Sequence, residues 1–420
     1  MLDIKFIREN ADLITEAVRK KRINFKVADL IELDIKRLAL QTEVESLRAE
    51  QNKASDEIAS AGGDQSKRNA VIGSMKSVKD SMQAKEEELK KILEKWRTLM
   101  LSVPNVPDIT VPEGEDDSHN VEIKSWGEQT RFNFAPKDHI EIMKNLDMLD
   151  LDRGVKIAGF RGYVLKNDGV LLSFAIWQLA LKFFTEKGFS PMIMPSLVKR
   201  DALLGTGFLP QGEEDLYKTQ DGDYLAGTAE VGTMGYFMNE VIDLKVPIKT
   251  LSFSPCFRRE AGSHSKDVKG LIRVHEFYKL EQVILCVADH SESVKNHEIL
   301  NRNTEEFIEL LGIPYHTVVN CGGDLGLGQV KKYDVELWVP MEQKYREISS
   351  ASYFHDFQTR RLNIRYRDSE GKLKYAHSLN CTAIPTPRIL VSLVENYQQA
   401  DGTIKVPSAL IPYIGKEKIG

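Results

Sequence analysis

Two runs of heptad-spaced apolar residues constrain the first quarter of this chain more tightly than any other feature. From Leu33 the positions Leu33, Arg37, Leu40, Val44, Leu47, Gln51, Ala54 and Ile58 step alternately by four and three, and six of the eight are apolar. That spacing predicts a helix with one continuous seam. Ala61-Gly62-Gly63-Asp64 then breaks the helix. A second seam follows at Val71, Met75, Val78, Met82, Lys85, Leu89, Ile92, Trp96 and Leu99. Two such helices joined by a Gly-Gly turn predict an antiparallel hairpin whose seams pack together. Each helix would be roughly 40 Å long or more at 1.5 Å per residue. A two-helix hairpin has almost no core of its own, so it projects from a body or is covered by a partner.

The hairpin carries Arg48, Lys53, Lys67, Arg68, Lys76, Lys79, Lys90 and Lys91, with Glu43, Glu45, Glu86, Glu87 and Glu88 among them. Charge alone leaves two readings open, a solvated helix face and a surface for RNA. The net charge of −5 excludes a globally basic nucleic-acid binder. The chain has 420 residues, enough for two or three domains. It contains no run of about 18 apolar residues, so no membrane helix is expected. The charged start MLDIKFIREN lacks a signal-peptide core, which makes the cytoplasm the expected location. Cys256, Cys286, Cys321 and Cys381 are far apart with no CxxC pair. That argues against a zinc ribbon, a redox dithiol or a disulfide framework.

Val103-Pro-Asn-Val-Pro-Asp and Val111-Pro-Glu-Gly-Glu-Asp-Asp mark a boundary near 103–120. The expected organisation is an N-terminal domain over 1–105 with its arm at about 28–100, a linker over 106–120 and a second domain over 121–420. Strand-like runs in the last part are Pro191–Met194, Thr250–Ser254, Leu271–Phe277, Val283–Val287, Tyr333–Val339 and Leu362–Tyr366. Leu171–Glu186 and Ile389–Gln399 read as helices. The order is not regular βαβ, so an α+β fold is expected, a mainly antiparallel sheet flanked by helices. There is no GxxxxGK[ST] P-loop. Gly322-Gly323-Asp324-Leu325-Gly326-Leu327-Gly328 does not complete GxGxxG and reads as a turn.

Chemistry-bearing residues are densest in Phe253-Ser-Pro-Cys-Phe-Arg-Arg-Glu-Ala-Gly262 and in Gly270-Leu-Ile-Arg-Val-His-Glu-Phe-Tyr-Lys-Leu-Glu281. Read as two strands, residues two apart share a face. Arg258 joins Glu260 on one strand, and Arg273, His275, Phe277, Lys279 and Glu281 line up on the other. A structural salt-bridge face explains this pattern. So does a ligand site, with arginine forks for phosphate, carboxylates for an amine and a ring for a base. Three further clusters are Gly227-Thr228-Ala229-Glu230, Glu347-Ile348-Ser349-Ser350, and Asn380-Cys381-Thr382 with Arg388, the last opening an apolar helix. Taken singly, a helix cap accounts for Thr228, an exposed acid for Glu347 and a helix-start cation for Arg388.

Together these residues resemble the class II aminoacyl-tRNA synthetases, and within them the seryl-tRNA synthetases of bacterial type, over nearly the whole chain. The likeness starts at MLDIKFIREN and the arm. It continues through Gly188-Phe-Ser-Pro-Met-Ile-Met-Pro195 as the class's first motif, Phe257–Gly262 to Glu281 as the second and the Arg388 segment as the third, then Glu395-Asn-Tyr-Gln-Gln and Val406-Pro407. Thr228-Ala229-Glu230, Tyr333-Asp334-Val335-Glu336-Leu337-Trp338, and Glu347-Ile-Ser-Ser with Asp356-Phe-Gln-Thr-Arg-Arg are the seryl-specific parts. The resemblance implies an N-terminal tRNA-binding domain and a class II catalytic domain. It implies ATP and L-serine as substrates, Mg²⁺, tRNA(Ser) with a long variable arm, a homodimer and no membrane association.

The resemblance also implies roles. Arg258 and Arg388 are the catalytic arginines, Arg258 on the α-phosphate and the serine carboxylate, Arg388 near the γ-phosphate. Glu260 holds the adenine amino group, Phe277 and Arg388 sandwich its ring, and Val274 lines the site through its backbone. Arg259, Arg273, Ile348 and Ser349 complete the ATP site. Glu347 and Ser350 hold the metal. Thr228, Ala229, Glu230, Glu281 and Thr382 recognise serine beside Arg258, and Ser263–Lys269 approaches the tRNA acceptor end. The chain departs from the family pattern at Cys381–Pro387, where a Gly-containing stretch is usual, at Gly227 in place of a proline and at Ala351 in place of a cysteine. Two other readings stand beside this one: a related ligase that loads a carrier protein, and an inactive RNA-binding homologue.

Overall fold

The computed structural model describes residues 1–60, 65–261 and 270–420, and their side chains except those of 65–72 and 74. The predicted Gly62-Gly63 turn, Gly262 and the loop Ser263–Lys269 lie outside the described residues, as do the side chains of Lys67, Arg68 and Val71. The chain divides into two compact units, Met1–Arg19 with Ile23–Pro104, and Lys20–Arg22 with Asn105–Gly420.

The first unit is helical: α1 (Ile4–Glu9), α2 (Ala11–Lys20), α3 (Val27–Ser60) and α4 (Gln65–Ser102). α3 and α4 form the arm along the expected seams. Every α3 seam position is buried or half-buried, Leu40, Val44 and Ala54 most completely, and the described α4 positions from Met75 to Leu99 are half-buried. The helices run antiparallel, since Arg37 stacks 5.0 Å from the centre of the Trp96 ring and Arg48 pairs with Glu86 at 2.7 Å. These contacts explain two polar seam residues: Arg37 covers Trp96 with its guanidinium, and Lys85 crosses the seam to Glu43. One residue off the seam, Asp34 is fully buried and held by Arg8 at 3.2 Å and Arg37 at 2.8 Å. Apolar periodicity carries no signal for such a buried acid; only its two arginine partners make its burial tolerable.

The second unit is built on an eight-stranded sheet: β1 (Val121–Trp126), β2 (Ser190–Ile193), β3 (Ile248–Phe257), β4 (Glu276–Cys286), β5 (Tyr315–Val319), β6 (Lys331–Val339), β7 (Lys344–Tyr353) and β8 (His377–Thr386). Their spatial order is β1-β5-β6-β7-β8-β4-β3-β2, and every pairing is antiparallel except β2 with β3. The α+β expectation holds. Around the sheet lie α5 (Asp168–Glu186), α6 (Ala229–Tyr236), α7 (His290–Leu311) and α8 (Arg388–Tyr397). The main core joins Leu280, Ile284, Val335, Ala351, Leu379 and Cys381 of the sheet to Leu300, Phe307 and Ile308 of α7 and to Leu390 and Val394 of α8.

Several local expectations are corrected. Leu271–Phe277 and Val283–Val287 are not two strands: β4 runs unbroken from Glu276, and the residues before it are irregular. Asn380-Cys381-Thr382 does not open a helix; it lies inside β8, a central strand. Leu362–Tyr366 contains the end of a short helix, Phe357–Leu362, and only the start of a three-residue strand, Arg365–Arg367. The glycine-rich segment does read as a turn, and a Cβ at Gly323 would fall 2.1 Å from the Glu115 carbonyl oxygen. By length and composition α5 is apolar enough to cross a membrane. Its Leu172, Ile176 and Ala180 are buried in the core, while Leu171 and Phe174 stay exposed at 50% and 60%.

Candidate active site

Two strand irregularities build one polar face on the sheet. Between β6 and β7, Val335 pairs with Ser349 and Glu336 with Glu347, so Ile348 is an extra residue. Asp334 and Glu336, two apart, share a face, and their partners Ser350 and Glu347 therefore share it too. Plain alternation would have put those two, three residues apart, on opposite faces. Between β4 and β8, Glu281 pairs with Thr382 and Leu280 with Ile384, leaving Ala383 extra. β7 and β8 pair only from Ala351 to Tyr353. Beyond Cys381 they part, and Pro385 has a ladder partner on one side alone, where its missing N–H is tolerated. The parting leaves a cleft lined by Arg258, Glu260, Arg273, Val274, Phe277, Lys279, Glu347, Ile348, Thr382 and Arg388, among others.

Arg258 and Arg388 enter this cleft with no carboxylate partner among the described residues. Arg258 Nε donates to the Gly227 carbonyl at 3.2 Å, and its guanidinium lies 5.3 Å from the Phe277 ring centre. Arg388 Nε donates to the Ile272 carbonyl and Nη1 to the Glu347 carbonyl, each at 2.9 Å. Burial lowers the Arg388 pKa, yet a guanidinium keeps its charge at neutral pH. Arg273 differs, since it is paired with Glu260, whose backbone holds a left-handed φ of 54°.

Deeper in, Thr228, Glu230, Lys279, Glu281 and Thr382 are all buried. Lys279 forms an ion pair with Glu281 and donates to the Thr228 hydroxyl at 2.7 Å and the Thr382 hydroxyl at 3.4 Å. The Thr228 hydroxyl donates to Glu281 at 3.2 Å and accepts from the Glu230 N–H at 3.4 Å. Thr228 is thus the N-cap of α6 and a wall of the cluster at once. Gln358 donates to Glu230 at 2.6 Å. Burial, opposed by that bond and reinforced by Glu281, raises the Glu230 pKa to about 7. An acid raised this way makes its stability contribution below its unfolded pKa and loses it as pH climbs through the folded one. Glu230→Gln should therefore leave the ligand-free protein more stable than the parent by about 3 kcal/mol above pH 7. The gap should close towards pH 4.5, as read by denaturant unfolding across pH.

Not every predicted side chain reaches the cleft. Ser349 is buried on the opposite face, where its hydroxyl donates to the Thr382 carbonyl at 2.5 Å and lies 3.4 Å from the Cys381 sulfur. Burial pushes the Cys381 thiol up to about 12, so it is no nucleophile. Arg259 is exposed, and Ala229 is buried at the start of α6. His275 falls outside β4 and lines an apolar groove beside Phe160 and Tyr217 instead of joining Phe277 and Glu281. Lys279 received no role from the sequence, although its spacing between Phe277 and Glu281 was the available signal. Gln358 had none. Glu395 has a structural task, accepting from the His139 and Met341 N–H groups at 3.0 Å each.

A family model of the seryl-tRNA synthetase N-terminal domain matches residues 1–107, and one of the tRNA synthetase class II core domain (G, H, P, S and T) matches 217–397. The serine–tRNA ligase of Deinococcus radiodurans is 44% identical, covering 100% of this chain and 99% of that protein. This chain belongs to the seryl-tRNA synthetase family. The seryl-tRNA synthetase of Pyrococcus horikoshii, solved with ATP, superposes with a TM-score of 0.91 at 36% identity, covering 100% of this chain and 99% of that one. The cytoplasmic serine–tRNA ligase of Naegleria fowleri, solved with AMP, gives 0.86 at 30% identity, covering 100% and 98%. Both the arm and the class II ligase core of a seryl-tRNA synthetase are therefore present.

Proposed function

We propose that this cleft activates L-serine with ATP and that the adenylate then acylates the 3′ end of tRNA(Ser). The observation that carries the reading is the pair of arginines without carboxylate partners among the described residues, Arg258 and Arg388, beside a buried cluster of hydroxyls and charges. In the first step a serine carboxylate oxygen attacks the α-phosphorus and pyrophosphate leaves. In the second the terminal ribose hydroxyl attacks the seryl carbonyl and AMP leaves. Arg258 neutralises charge at the α-phosphate and Arg388 at the phosphate tail, so the protein contributes position and electrostatics and no covalent nucleophile. Phe277 offers a flat face to the adenine. Glu281 and Glu230 receive the serine ammonium, and Thr228 and Thr382 its hydroxyl. Alanine or glycine would leave those buried groups unpaired, which is the basis of their rejection.

Glu347 and Ser350 suit a magnesium ion that arrives with the phosphates. They are hard oxygen donors on one face, and Mg²⁺ is commonly held by one or two carboxylates plus substrate phosphates. Bound there, Mg²⁺ would offset phosphate charge. We assign the arm to the long variable arm of tRNA(Ser), which its length and the cations along it suit. A homodimer is supported by an apolar groove beside the edge strand β2, where Phe160, Phe174 and Ile193 are 48%, 60% and 81% exposed. An exposed apolar patch next to a sheet edge asks for a cover, and a second copy of the chain provides it symmetrically.

Purified protein with Mg²⁺ should catalyse pyrophosphate exchange into ATP with serine, well above the rate with threonine, alanine or glycine. Equal rates with alanine would overturn the serine assignment.

A further inference from the structure

Away from the cleft, three histidines from separate elements of the larger unit meet. His290 opens α7, His355 follows β7 and His377 opens β8. His290 Nδ1 and His355 Nε2 face each other at 3.1 Å. The His377 ring centre is 4.8 Å from that of His355, but its Nδ1 is taken by the Ser293 hydroxyl at 2.8 Å. His290 is steadied on its other side, its Nε2 lying 3.7 Å from Asp108 Oδ2. Asp108 accepts from the Tyr353 hydroxyl at 2.6 Å, and from the Thr110 N–H and hydroxyl at 2.9 and 2.7 Å.

Nε2 of His290 thus faces the Asp108 carboxylate while Nδ1 faces His355. A carboxylate behind the far ring nitrogen is an arrangement found behind metal-bound histidines. His355 is half-buried. Its backbone holds a left-handed φ of 48°, a conformation that its surroundings must enforce. Metal–imidazole distances are about 2.0–2.1 Å, and two nitrogens 3.1 Å apart then subtend about 98° at the ion. That angle lies between octahedral and tetrahedral values.

We propose that His290 Nδ1 and His355 Nε2 seat one divalent transition-metal ion of the zinc or copper type, with water completing its shell and Asp108 positioning His290. Without metal, one ring N–H bridges the two nitrogens. The ion takes the place of that proton, which moves to the other nitrogen of its own ring. Imidazole selects for such ions over Mg²⁺, so the seat is chemically separate from the cleft.

The test uses the full-length chain with excess Mg²⁺ present. Electron paramagnetic resonance of one added equivalent of Cu²⁺ should show two imidazole nitrogens. His290→Gln, at an exposed ring, should reduce this to one and weaken Zn²⁺ binding at least about tenfold by calorimetry. His355→Asn, chosen because Asn tolerates the left-handed backbone, should do the same. Glu347→Gln should leave Zn²⁺ binding at the histidine pair unchanged. If His290→Gln and His355→Asn bind Zn²⁺ as the parent does, or if copper shows fewer than two nitrogens in the parent, the pair is a plain hydrogen bond and the proposal fails.

Discussion

Arg388→Ala should cut serine-dependent ATP–pyrophosphate exchange by about 10³-fold, the scale of removing one preorganised cation or donor from a developing phosphate charge. The reason lies in how Arg388 is held. It donates to two backbone carbonyls, of Ile272 before β4 and Glu347 in β7. Carbonyls orient a guanidinium without cancelling its charge, as a carboxylate would. Arg273, tied to Glu260, is the contrast within the same cleft. Arg388→Lys keeps the charge but not the planar fork that spans both carbonyls, so its loss should be smaller yet still about 10²-fold. A charge acting mainly on the reacting phosphates should appear in kcat more than in the KM for serine. Unfolding measured alongside separates this from stability, since two orphaned carbonyls cost only about 1–3 kcal/mol each. Wild-type kcat in a folded Arg388→Ala protein would remove Arg388 from the chemistry.

The arm was legible because its signal is local and periodic. Heptad spacing depends on one chain segment at a time, and Arg37 and Lys85 departed from apolar character without losing the pattern. Much of the cleft was legible by residue type but not by geometry. Glu347 and Ser350 share a face only because Ile348 is bulged, and a bulge is a property of two strands. β8 was misread because Asn380-Cys381-Thr382 was grouped with the apolar helix that starts at Arg388. The structure accommodates Pro385 where β8 has already left β7. His275 was assigned by alternation to a strand that starts one residue later. Lys279 shows a further limit. Its spacing was visible, but a buried lysine has meaning only once Glu281, Thr228 and Thr382 are seen around it.

Replacing residues 41–91 by a short Gly-Ser turn should cut charging of tRNA(Ser) to a small residue while leaving serine-dependent exchange intact. The cut preserves the base of the arm. Arg37 against Trp96 and Arg48 against Glu86 set the antiparallel register, which brings Leu40 close to Ile92. Asp34 keeps both of its arginines, Arg8 and Arg37. Every residue of the cleft lies in the unit of Lys20–Arg22 with Asn105–Gly420, so the activation chemistry loses nothing it touches. tRNA instead loses the cations of the arm, Arg48, Lys53, Lys76 and Lys79 among them. Removing several phosphate contacts should lower kcat/KM for tRNA by roughly 10³-fold, and the residual reaction should depend less steeply on salt. Single-turnover transfer from preformed adenylate, followed over tRNA concentration, measures this directly. Exchange and charging falling together would assign the arm to the fold. Charging undiminished by the cut would remove it from tRNA recognition altogether.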